Sequence, residues 1–98
     1  MHLESVEQGQ VYQKGDEDYF YVAGISEHAV HFVHVSQGAV MIPNLCVQKK
    51  NIENQSGELT DLDVTDLELP EKVYNRIEKL EEAIRNNHPD AVPDPEEF

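Results

Sequence analysis

An α+β fold, with a small antiparallel β-sheet first, an acidic connector next and one amphipathic helix last, is what this 98-residue chain predicts. Three observations carry that expectation. Residues 9 to 50 hold short runs of β-branched and aromatic side chains broken by turn-forming residues. Val73, Ile77, Leu80 and Ile84 recur at spacings of four, three and four, which is a helical period. Charge shifts between the halves: residues 1 to 50 hold six acids and three bases, residues 51 to 98 fourteen acids and four bases.

The β-unit reads in order as follows. Val11-Tyr12 makes a short strand after Gly9, and Lys14 to Asp18 supplies a polar turn. Tyr19 to Ile25 and Ala29 to Val35 are rich in the aromatic and β-branched side chains that suit a pleated, half-buried surface, with Ser26-Glu27-His28 turning the chain between them. After Ser36-Gln37-Gly38 a third such run, Ala39 to Ile42, is expected to stop at Pro43-Asn44, because proline cannot donate to a ladder. Leu45-Cys46-Val47 then tucks under the sheet before a last short strand reaching Lys49.

Strands this short cannot hide both faces of a sheet unless it curls or something covers it, so a small, strongly bent sheet is the economical solution. The order Gly-x-Val-Tyr, polar turn, Tyr-x-Val-x-x-Ile, turn, Val-x-Phe, Gly turn, Ile-Pro-x-Leu resembles small SH3-like domains of phage and mobile-element proteins over residues 9 to 45. The resemblance implies an SH3-like sheet or barrel and a phage or mobile-element origin. It brings no catalytic or ligand residue.

Asn51 to Gly57 reads as a polar linker. From Glu58 to Leu69 acids alternate irregularly with Leu59, Leu62, Val64, Leu67 and Leu69, and Asp, Thr and Val are middling helix formers. An extended segment or short turn that plugs its leucines into the core is expected over this connector, residues 51 to 69. Residues 70 to 87 form the helix: Pro70 suits a first turn, Glu71 the positive end of the dipole, and His88-Pro89 a stop. Its four apolar residues fall within roughly 60° of one another on a helical wheel. Residues 88 to 98, with three prolines and four acids, are expected to be a mobile tail.

Length sets a single domain. A lone cysteine, Cys46, allows neither an internal disulfide nor a paired-cysteine zinc motif. The N-terminus lacks a signal-peptide pattern and no apolar run approaches a membrane span, so a soluble cytoplasmic protein is expected. A formal net charge of −13 repels DNA, RNA and anionic lipid, and the same field favours encounter with basic partners.

On the helical wheel Glu71, Glu78 and Glu82 line the side opposite the apolar stripe, with Glu81 at its flank and Lys72, Arg76 and Lys79 on the other flank. That pattern fits an ordinary solvated helix. It also fits nucleic-acid mimicry, because carboxylates three or four residues apart stand about 5 to 6 Å from one another, near the separation of successive phosphates. Asp61, Asp63, Asp66 and Glu68 would extend the row, and Asp16, Glu17 and Asp18 would form a second patch.

His28, His31 and His34 suggest a metal set at first, but on a strand odd and even positions diverge, and no metal or cofactor is expected. Tyr19 and Tyr21 alternate with Phe20 and Val22, so one set is core; core packing is favoured over an aromatic cage for cations. No serine lies in a nucleophile motif and the glycines form no phosphate loop, so the chain is not expected to be an enzyme. The leading expectation is a non-enzymatic inhibitor that covers the nucleic-acid site of a basic protein or complex, in the setting of phage counter-defence against CRISPR or restriction systems. The alternative is an adaptor or subunit docking through its SH3-like barrel or its helix, with the acids serving solubility. A monomer is expected, a dimer through the helix being the other possibility, since the apolar stripe is short for a coiled coil.

Overall fold

The computed structural model describes residues 2 to 86. Expectations about residues 87 to 98 lie outside the described residues. The chain forms β1 (Val11–Lys14), β2 (Asp18–Ile25), β3 (Ala29–Ser36), β4 (Ala39–Gln48), β5 (Glu58–Leu59) and α1 (Glu71–Arg85), with short 3-10 turns at Leu3–Ser5, Lys49–Asn54 and Val64–Leu67. It is an α+β domain: one five-stranded antiparallel sheet in the order β4-β3-β2-β1-β5, with one helix after it.

The sheet stays open, with β4 and β5 as its edges. Between them the Lys49–Asn54 turn spans part of the path and buries Ile52 completely against the sheet face that carries Tyr12, Val22, Val30 and Phe32. Residues 51 to 57, expected to be a plain linker, thus begin as core cover. Val6 adds to the same cluster.

On the other face, Val11, Tyr21, Ala23, Val33 and Val35 meet Leu69, Val73, Ile77, Leu80 and Ile84. The period-two alternation of the strands and the apolar stripe of the helix predict this pairing of surfaces. Gly24 sets how close the helix sits, since a Cβ built there would lie 2.7 Å from Ile84 Cγ2. The β2–β3 register shifts between Val22 and Gly24, a bulge at the place where the helix end arrives.

The expected strand end at Pro43-Asn44 is corrected: β4 continues through both to Gln48. It can do so because β4 is an edge strand and its pairing with β3 shifts register on each side of His34, leaving Pro43 in irregular ladder where no N–H is called for. Asn44, within that irregularity, turns its side chain to a use. The His31 ring, 2% exposed, has Nδ1 at 2.8 Å from Asn44 Oδ1 and Nε2 at 3.0 Å from Ser26 Oγ. One histidine therefore ties the β2–β3 turn to the β4 irregularity, and both ring nitrogens are satisfied.

Two other expectations are adjusted. Pro70 is the N-cap of α1, its carbonyl accepting from the N–H of Val73 at 2.9 Å and of Tyr74 at 3.2 Å. Of the connector's leucines, Leu69 is buried and Leu67 partly so, while Leu59 and Leu62 remain exposed because β5 is only two residues long and covers little.

Gly24→Ala should lower stability by about 1 to 3 kcal/mol through overpacking, read by urea unfolding. Adding Ile84→Ala, which removes the clashing methyl, should make the pair less than additive. Asn44→Ala should leave a buried His31 nitrogen unpaired and cost about 1 to 3 kcal/mol in the same assay.

Candidate protein-binding surface

The helix is oriented by its buried residues, Val73, Ile77, Leu80, Ala83 and Ile84, and that orientation decides where its acids point. Glu71, Glu78 and Glu82 stand exposed on the side away from the sheet. Along the axis Glu71 and Glu78 are about 10.5 Å apart and Glu78 and Glu82 about 6 Å. Glu81 does not join them. Its carboxylate accepts from Tyr21 Oη at 2.8 Å and from Gln8 Nε2 at 3.4 Å, which ties the helix to the sheet. Burial, and then this bond to Glu81, push the Tyr21 phenol far above its ordinary value.

Asp61, Asp63, Asp66 and Glu68 are also exposed, and three of them shape the turn they occupy. Asp63 caps the Val64–Leu67 turn by accepting from Thr65 N at 2.7 Å and from the Thr65 hydroxyl, while Asp66 accepts from Asp63 N at 2.8 Å. This reciprocal pair satisfies donors that the turn would otherwise leave open. The Thr65 hydroxyl, followed by the Thr65 N–H, holds the Asp63 carboxyl below its usual range. Glu68 ends the turn in the left-handed region, φ 53°.

Tyr74 fixes this acidic turn to α1. Its hydroxyl accepts from Leu69 N at 3.0 Å and donates to Thr65 O at 3.3 Å. Nothing in the apolar spacing of the helix marked Tyr74 for this; the only signal was a tyrosine at the flank of the stripe, where an aromatic body can lie on the core and its hydroxyl reach outward.

The two acidic patches of the sequence meet in part. Asp16 and Glu17 from the β1–β2 turn and Asp66 from the 3-10 turn border one groove of about 230 Å³, floored by Tyr19, Val35, Leu62 and Leu67. Gln37 holds Glu17 there, its Nε2 donating to the carboxylate at 2.7 Å. Asp18 goes elsewhere. On the sheet face opposite α1 it lies 3.1 Å from His34 Nε2, and His34 first, then Ser36, hold its carboxyl below the usual range. The reason is strand alternation: Tyr19 faces the helix, so Asp18 faces away.

The acids are unevenly spread. No acid occurs from His28 to Ile52, so β3 and β4 carry none, and Lys49 and Lys50 follow β4.

The three strand-region histidines separate. His28 is exposed beside Glu27 at 3.8 Å, His31 is buried, and His34 stacks on Phe20 with ring centroids 4.6 Å apart. Among the described residues no group of three or more His, Cys, Asp or Glu side chains could hold a metal ion. No helix among them is long and apolar enough to cross a membrane.

One further row crosses the whole sheet. Directly paired residues share a face, so the registers Leu59↔Tyr12, Tyr12↔Phe20, Phe20↔His34 and His34↔Ile42 align five side chains on the face opposite α1. Its ends are open, Leu59 at 55% and Ile42 at 39% exposure.

Tyr74→Phe should loosen the acidic turn, raising amide exchange at Leu69 while α1 keeps its protection, at a cost of about 1 kcal/mol. Because the Asp18 carboxyl is lowered in the folded state, its contribution is present above the ordinary carboxylate range and fades as pH falls through that lowered value. Asp18→Asn should therefore be less stable than the parent at neutral pH and converge with it in acid, as read by chemical denaturation across pH. Comparison with protein-family models, with curated proteins and with solved structures finds no match to this chain.

Proposed function

We propose that this protein is a non-enzymatic acidic inhibitor that covers the nucleic-acid-binding surface of a basic protein, its carboxylates standing where phosphates would lie. The observation that carries this reading is the outward row of Glu71, Glu78 and Glu82 on a helix held by its opposite side, with Asp61, Asp63, Asp66 and Glu68 also exposed in the preceding connector. Such a row acts as a fixed line of negative charge. Attraction between that line and a basic partner is screened by salt, so binding weakens as ionic strength rises, as it also does on a phosphate backbone. The SH3-like character of residues 9 to 45 and a role in counter-defence against CRISPR or restriction machinery belong to this proposal and rest on the sequence resemblance; a cytoplasmic setting belongs to it as well and rests on the lone Cys46.

A second reading, an adaptor docking through the sheet, is favoured by the row Leu59, Tyr12, Phe20, His34 and Ile42, whose exposed ends offer apolar contact without net charge. It is favoured also by the capping duty of Asp63 and Asp66, which explains those two acids without any partner.

The test is affinity capture from a bacterial lysate at low and high salt with nucleic acid as competitor, using the parent chain, the triple variant Glu71→Lys, Glu78→Lys, Glu82→Lys, and Ile42→Asp. Under mimicry the captured protein is released by salt and by nucleic acid, and the triple variant captures nothing while melting as a folded domain. Capture that persists in the triple variant and is lost in Ile42→Asp supports the adaptor and overturns mimicry.

A further inference from the structure

The groove between the β1–β2 turn and the Val64–Leu67 turn is a built feature distinct from the helical row. It has an apolar floor, Tyr19, Val35, Leu62 and Leu67, and a rim with three carboxylates, Asp16, Glu17 and Asp66, and no base lines it. Leu62 is 36% exposed, an apolar side chain left open at the surface while Leu67 and Leu69 of the same segment pack on the core. Two of the rim acids are held in place before any partner arrives, Glu17 by Gln37 and Asp66 by the N–H of Asp63.

We infer that this groove seats an arginine side chain of the partner protein, the apolar floor taking its methylene stem and the rim its guanidinium. The inference rests on the mimicry reading, which makes the partner basic, and adds a single anchoring point and a preference between its two kinds of base. Charge complementarity requires a cation. The floor selects which one: a guanidinium is planar, weakly hydrated, stacks on an aromatic ring and bonds two carboxylate oxygens at once, whereas an ammonium keeps its water and prefers an open, polar site. A bare row of exposed glutamates, like that on α1, offers no such floor and should favour arginine over lysine less strongly.

The probes are hexa-arginine and hexalysine peptides, titrated into the full isotope-labelled chain and followed by backbone and methyl NMR shifts at low salt. Hexa-arginine should bind more tightly than hexalysine and shift Tyr19, Leu62 and Leu67. Asp16→Asn with Glu17→Gln should weaken hexa-arginine about tenfold and remove the preference, and Leu62→Ser, an exposed position, should reduce the preference without unfolding the chain. Equal binding of the two peptides, or shifts confined to the Glu71, Glu78 and Glu82 side of α1, would overturn the groove and leave mimicry standing. Failure of both peptides to bind at low salt would overturn the groove and mimicry together.

Discussion

Everything in this small domain follows from one constraint: a five-stranded sheet with apolar side chains on both faces must be covered twice by fewer than a hundred residues. α1 covers one face with a stripe of aliphatic residues. The Leu3–Ser5 and Lys49–Asn54 turns cover the other, with Ile52 wholly buried there. Apolar burial at roughly 25 cal/mol per Å² is the main favourable term, so the segments that shield a face are held more firmly than their irregular form suggests. The open sheet is a consequence. Once a turn lies over the second face, the edges need not meet.

The same constraint arranges the charge. A helix whose apolar stripe is fixed against a sheet has no freedom to rotate, and its opposite side must face solvent. Glu71, Glu78 and Glu82 are outward for that reason alone, and a fixed outward row is also what a charged recognition surface needs. Glu81, one position nearer the seam, is drawn in by Tyr21 instead. The connector is positioned by polar contacts: Asp63 and Asp66 wind its turn, and Tyr74 pins that turn to α1. The connector acids that the proposal invokes include two with a structural duty, whereas Glu71, Glu78 and Glu82 are separate from Glu81, which makes the helical glutamates the cleaner probes of mimicry.

The irregular places are informative in the same way. Gly24 lets α1 approach because no side chain intervenes, and Asn44 reaches His31 because β4 loses its register around Pro43. Both are local departures from ideal pairing that serve a contact made by a distant part of the chain. As an edge strand β4 tolerates its departure because one side of its ladder answers to solvent, whereas β2, in the middle of the sheet, takes up its own as a bulge.

The sequence by itself determined the strand cores, the helix, placed at residues 70 to 87 and found at 71 to 85, and its buried side, because period-two and period-3.6 patterns are properties of neighbouring residues. It also determined that the helical acids oppose the apolar stripe. Only tertiary structure decided that β4 runs through Pro43, since that depends on β4 being an edge, and edges are not written in local pattern. Tertiary structure likewise brought Asp66 to Asp16 and Glu17 while sending Asp18 to His34 on the far face. The physical reason is that a groove or a side-chain hydrogen bond joins residues from different elements of the chain, and their meeting is set by which surfaces must be buried together rather than by any spacing along the chain.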